Sequence, residues 1–160
     1  MEEQTNDVEL RTIWWENDAA HLIDQTLLPG TFEIRICRTV EEMWEAIRVL
    51  RIRGAPAIGV ATAYGVCLGL NRGSCADTQA LLKRLDEVAG FLATCRPTAV
   101  NLFWALERMK QTAYANADLP PDELCDRLLE EAHMIREEDD LTCRAIGKHG
   151  AEIVEDSQTI

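Results

Sequence analysis

The chain has 160 residues, 47% of them hydrophobic and 28% charged, which is enough for one folded domain with a real core and argues against disorder. Its net charge of −12, with acidic residues crowded into the N-terminal tail and into 118–140, excludes a broad attraction to nucleic acid or to an anionic membrane. Any anionic ligand therefore has to be held by local geometry. Cys37, Cys67, Cys75, Cys95, Cys125 and Cys143 make no CxxC or Cys/His pattern, and the first residues are acidic and polar. Together these features predict reduced thiols, no metal site, no signal peptide and a cytoplasmic protein.

Residues 1–9 read as a polar tail and 10–155 as a single strand-plus-helix domain. The spacing predicts strands over 10–15 and 21–26, joined through Glu16-Asn17-Asp18. After a second turn at Leu28-Pro29-Gly30, the alternation of 32–37 predicts a third strand. Thr39 and Glu42 have the spacing of a capping box, and Val40, Met43, Trp44, Ile47 and Leu50 follow at helical intervals. Further helices are expected over 55–70, 77–94, 99–115 and 121–138. A break near 139–142 would then precede a last helix over 143–154, with Ile146, Ile153 and Val154 on its apolar face.

The fold class expected is α+β and mainly helical, with a small three-stranded antiparallel sheet followed by a helical bundle. The uncharged run 54–70 contains Pro56, Thr62 and several glycines, so it reads as a central buried helix and not as a membrane span. Leu102, Trp104, Leu106 and Met109 read as core. Residues 157–160 look like the opening of another strand, so 156–160 is expected to be the stub of a second domain.

Two junctions carry chemistry. In Arg51-Ile52-Arg53-Gly54-Ala55-Pro56, Gly54 reaches backbone angles closed to other residues and Pro56 suits a first helical turn, so Arg53 stands just ahead of a helix start. In Cys95-Arg96-Pro97-Thr98, Arg96 holds the same place before a helix that Thr98 is expected to cap. Free amides, the positive end of the helix dipole and a guanidinium together make a seat for an anion such as phosphate. No nucleotide-binding glycine loop, nucleophile elbow or metal motif accompanies them.

The strings 22–30, 44–59, 96–106 and 144–152 resemble methylthioribose-1-phosphate isomerase, and the likeness runs in order from about residue 10 to the end. That family implies an aldose–ketose isomerase of methionine salvage that uses no cofactor, usually a cytoplasmic homodimer. Its strand-and-helix domain is followed by a Rossmann-like domain, which would be absent from this chain. The resemblance implies substrate and phosphate contacts at Arg53, Gly54, Ala55 and Arg96. It places the catalytic cysteine and aspartate in the second domain, so no catalytic residue is expected here and the chain alone is expected to be inactive. Cys143 stands where relatives commonly carry asparagine. The alternatives are the related ribose-1,5-bisphosphate isomerases or initiation factor 2B regulatory subunits, which generally lack these strings intact, and a helical interaction module without a ligand.

Overall fold

A computed structural model describes residues 11–154 apart from 71 and 74. The expected polar tail and the strand stub at 156–160 lie outside the described residues. Three strands come first, β1 (Ile13–Glu16), β2 (Ala19–Ile23) and β3 (Ile34–Cys37), in an antiparallel sheet of order β1-β2-β3. Five helices follow: α1 (Val40–Arg48), α2 (Ala55–Gly69), α3 (Thr78–Ala93), α4 (Val100–Ala115) and α5 (Pro121–Ala151). The architecture is the expected α+β one.

The strands are shorter than their sequence pattern. Asn17 and Asp18, at φ 51° and 54°, form the tight left-handed turn that matches strand twist in a two-residue hairpin. Pairing of Ile13 with Leu22, Trp15 with Ala20 and Ala20 with Cys37 puts those side chains on one face. Trp15 from that face packs on Tyr64 of α2, with ring centroids 5.5 Å apart. The opposite face stacks Trp14 on His21.

Helix α2 is the axis of the domain. Nearly all of it from Ile58 to Leu70 is buried, because α1, α3, α4, α5 and the sheet surround it. Its small residues make this possible: a Cβ on Gly69 would meet Val88 of α3 at 2.6 Å. Among the described residues no helix is long and apolar enough to cross a membrane.

Sequence-based expectations fail at three places. Helix α5 is continuous, with no break at 139–142. Neither glycine nor proline falls there, and Thr142 Oγ1 donates to the Glu138 carbonyl at 2.7 Å while Arg144 reaches Asp140 at 2.8 Å across one turn. The apolar residues meant for a separate helix are all exposed, Ile146 at 67%. Trp104 is 48% exposed on the surface of α4, whereas Leu102, Leu106 and Met109 do enter the core. Finally, α4 is capped by the backbone of Ala99, and Thr98 stands outside the cap.

Candidate functional site

The capping box at the start of α1 forms as its spacing requires: Glu42 N donates to Thr39 Oγ1 at 3.2 Å, and Thr39 N donates to the Glu42 carboxylate at 3.3 Å. Helix α1 then positions both arginine junctions. Its Trp44 Nε1 donates to Thr94 Oγ1 at 2.9 Å, and its Arg48 Nη1 donates to the Cys95 carbonyl at 3.1 Å. These bonds fix the segment that leads into Arg96. The end of α1 itself leads into Arg53.

Between α1 and α2 the chain turns sharply, with Leu50 at φ 64° and Gly54 at φ 95°. The first is a left-handed conformation that costs a leucine energy, and surrounding contacts hold it in place. Ile52 is fully buried, and burying such a side chain contributes about 1.5–3 kcal/mol, so it anchors the middle of the turn. Arg53, Gly54, Ala55 and Pro56 emerge at the surface. Gly54 is the N-cap of α2 and provides no side-chain cap, so the first amides of the helix remain open to a ligand.

Arg51 and Arg53 are only two residues apart, but their surroundings differ in kind. Arg51 Nη1 donates to Asp24 Oδ2 at 2.5 Å, and its Nε and Nη2 grip Glu45 at 2.9 and 2.8 Å. Burial pushes the Asp24 carboxyl up, but hydrogen bonds from Thr26 and Arg51 outweigh it and hold the group below its ordinary value. Hydrogen bonding from Arg51 holds Glu45 down in the same way. Arg53 makes, among the described residues, a single side-chain hydrogen bond, from Nε to the Leu50 carbonyl at 3.3 Å. Among the described residues neither Arg53 nor Arg96 has a carboxylate partner.

The two helix starts face one groove. Gly59 of α2 lies against Asn101 of α4, where an added Cβ would meet the Asn101 carbonyl oxygen at 3.3 Å. Beside this contact, Pro56, Val60, Val100, Asn101, Trp104 and Ile135 line a depression of about 400 Å³ between α2, α4 and α5. Glu138, which also borders it, is paired with Arg108 at 2.5 Å, and Arg108 in turn lies 5.4 Å above the Trp104 ring. Its floor is therefore largely apolar, with Asp139 and Thr142 on the same rim and Glu138 neutralised by Arg108. The groove joins residues of three helices up to about 80 positions apart in sequence, so no spacing rule reveals it. Sequence reasoning names Arg51 only as the start of the first junction and Asp24 only within a string that carries the family resemblance, and it does not pair them.

Cys95, the thiol next to Arg96, is buried, and burial pushes its pKa up, away from the thiolate that a nucleophile requires. No group of three or more His, Cys, Asp or Glu residues suited to a metal ion occurs among the described residues.

A small antiparallel sheet on a helical bundle, with two arginine-led helix starts beside a largely apolar groove, defines a class of α+β domain. The chain belongs to the Initiation factor 2 subunit family, whose model matches residues 51–160. It is 47% identical over 148 residues to the 5-deoxyribose 1-phosphate isomerase of Moorella thermoacetica, covering 92% of this chain and 42% of that protein. It is likewise 47% identical over 151 residues to the methylthioribose-1-phosphate isomerase of Geobacter sulfurreducens, covering 94% and 43%. The chain thus spans less than half the length of these curated relatives. Among solved structures, 5-methylthioribose 1-phosphate isomerase from Pyrococcus horikoshii superimposes with a TM-score of 0.86 at 36% identity, over 90% of this chain and 40% of that one. Subunit delta of the translation initiation factor eIF-2B from A. fulgidus gives 0.84 at 43% identity, over 92% and 43%.

Proposed function

We propose that this chain is the substrate-holding domain of a sugar-phosphate isomerase that converts 5-methylthioribose 1-phosphate into 5-methylthioribulose 1-phosphate. The observation that carries the reading is the pair of helix starts, each behind an arginine without a carboxylate partner among the described residues, brought together where Gly59 lies against Asn101. A phosphate dianion takes charge-assisted hydrogen bonds from Arg53 and Arg96 and further bonds from the open amides at Gly54 and Ala55. The names of the isomerase relatives supply the sugar.

In such a substrate the anomeric phosphate locks the furanose ring. The ring must open, with a proton delivered to the ring oxygen, before hydrogen can move from C2 to C1. Holding the phosphate at two points fixes C1 and C2 against the groups that perform those steps, so the contribution of this domain is orientation. The proton-transfer cysteine and aspartate are assigned to a Rossmann-like second domain, and the working assembly to a cytoplasmic homodimer.

The initiation-factor relative favours a second reading, a regulatory subunit without catalysis, because its fold matches equally well. The two readings separate on ligand binding. Calorimetry with ribose 1-phosphate on this chain and on its Arg53→Ala, Arg96→Ala double variant is expected to show binding that the double change abolishes. Equal heats from both proteins would overturn the anion seat. In the full-length protein, formation of the ketose from 5-methylthioribose 1-phosphate is expected, and its absence would favour the regulatory reading.

A further inference from the structure

We propose that Asp24 and Glu45 are positioning residues for the phosphate seat, acting through Arg51. This inference rests on the reading of Arg53, Gly54 and Ala55 as part of that seat. Arg51 is held on every side. Its N–H donates to the Ala46 carbonyl at 2.9 Å, its carbonyl accepts from Gln25 N at 2.8 Å, and its guanidinium bridges the two carboxylates. Asp24 is itself fixed: its other oxygen accepts from Thr26 N at 3.0 Å and from Thr26 Oγ1 at 2.5 Å. At 3% exposure, Asp24 is one of the few buried polar residues of the domain.

The clamp joins the end of β2, the body of α1 and the turn before α2, so it determines where that turn leaves the core. Two residues later the chain presents Arg53. The clamp also separates the roles of two neighbouring cations. Arg51 is held by two acids, whereas Arg53 has no ion-pair partner among the described residues. An ion pair that served stability alone would have no reason to affect ligand affinity. This one sets the backbone that carries the ligand.

The test is steady-state kinetics of the full-length protein with 5-methylthioribose 1-phosphate, and inhibition by inorganic phosphate. Asp24→Asn is expected to raise KM and the phosphate inhibition constant together by about tenfold while kcat changes less than about twofold, the pattern of lost ground-state binding. Glu45→Gln, at a half-exposed position, shifts both constants in the same direction by less, and it decides the matter if Asp24→Asn does not fold. Leu85→Val, a core change in α3, is the stability control: it lowers the melting temperature and leaves KM unchanged. Arg53→Ala separates the two ideas. If it leaves both constants unchanged, the seat reading falls and takes this inference with it; if the parent protein shows no turnover, the same comparison is read from ribose 1-phosphate affinity by calorimetry. If Arg53→Ala raises both constants while the Asp24 and Glu45 variants lower only the melting temperature, the seat stands and the positioning role is overturned.

Discussion

Gly59 of α2 and Asn101 of α4 touch backbone to backbone: a single added carbon at Gly59 would stand 3.3 Å from the Asn101 carbonyl oxygen. The contact sets the distance between the two helix starts. Replacing Gly59 with valine inserts volume against a backbone atom that cannot rotate away. Overpacking of this kind costs about 1–3 kcal/mol. Gly59→Val is therefore expected to lower the thermal midpoint and to weaken ribose 1-phosphate binding as the two starts separate. Thermal melting and calorimetry on the same sample check both effects.

Arg96→Lys keeps the charge but removes the planar fork. Among the described residues Arg96 has no acid partner, and it is half-buried, so the change is expected to alter stability by less than about 0.5 kcal/mol. A lysine ammonium cannot bind phosphate oxygens bidentately, and ribose 1-phosphate affinity is expected to fall by about five- to tenfold. Calorimetry at constant ionic strength measures the loss.

Thr39→Ala removes one half of the capping box that opens α1. Loss of such a cap typically costs about 1 kcal/mol. Chemical denaturation is expected to show that loss with an unchanged slope against denaturant, since the surface exposed on unfolding stays the same.

The acid limb of the stability curve is expected to have two parts. His133, whose Nδ1 lies 3.0 Å from the Tyr64 hydroxyl, has its pKa lowered by burial. The unfolded chain therefore binds this proton more readily, and the stability it contributes is lost as pH falls below the ordinary histidine value near 6.5. The carboxyls of Asp24, Glu45, Asp86 and Glu138 are also held below their ordinary values, so their contribution is present above those values and is lost only at lower pH. His133→Phe is expected to flatten the upper part of the curve and leave the lower part in place, as judged by denaturation from pH 7 to 3.

Short-range patterns made much of the fold legible. The capping box at Thr39 and Glu42 and Asp77 at the start of α3 satisfy local backbone donors, while Gly54 and Pro56 at the start of α2 supply the backbone angles of a first turn, and such needs show in spacing. The α5 helix was harder. The polar Asp139, Asp140 and Thr142 before Cys143 read as a break, but exposed i to i+4 pairs carry the helix through it. Trp104 misled for a related reason: helical spacing assigns it to a face, and only the packing of α5 determines whether that face is covered.

The sequence by itself determined where helices begin, that two of them begin behind an arginine, and that the helix between 54 and 70 is apolar enough to be central. These properties depend on residues within a few positions of one another. Only the tertiary structure decided which arginines are free. Arg51 and Arg53 are chemically identical and nearly adjacent, but Asp24, 27 positions earlier, saturates the first and leaves the second to solvent. Charge pairing acts through space over a few ångströms, and which acid comes that close depends on how β2, α1 and α2 pack.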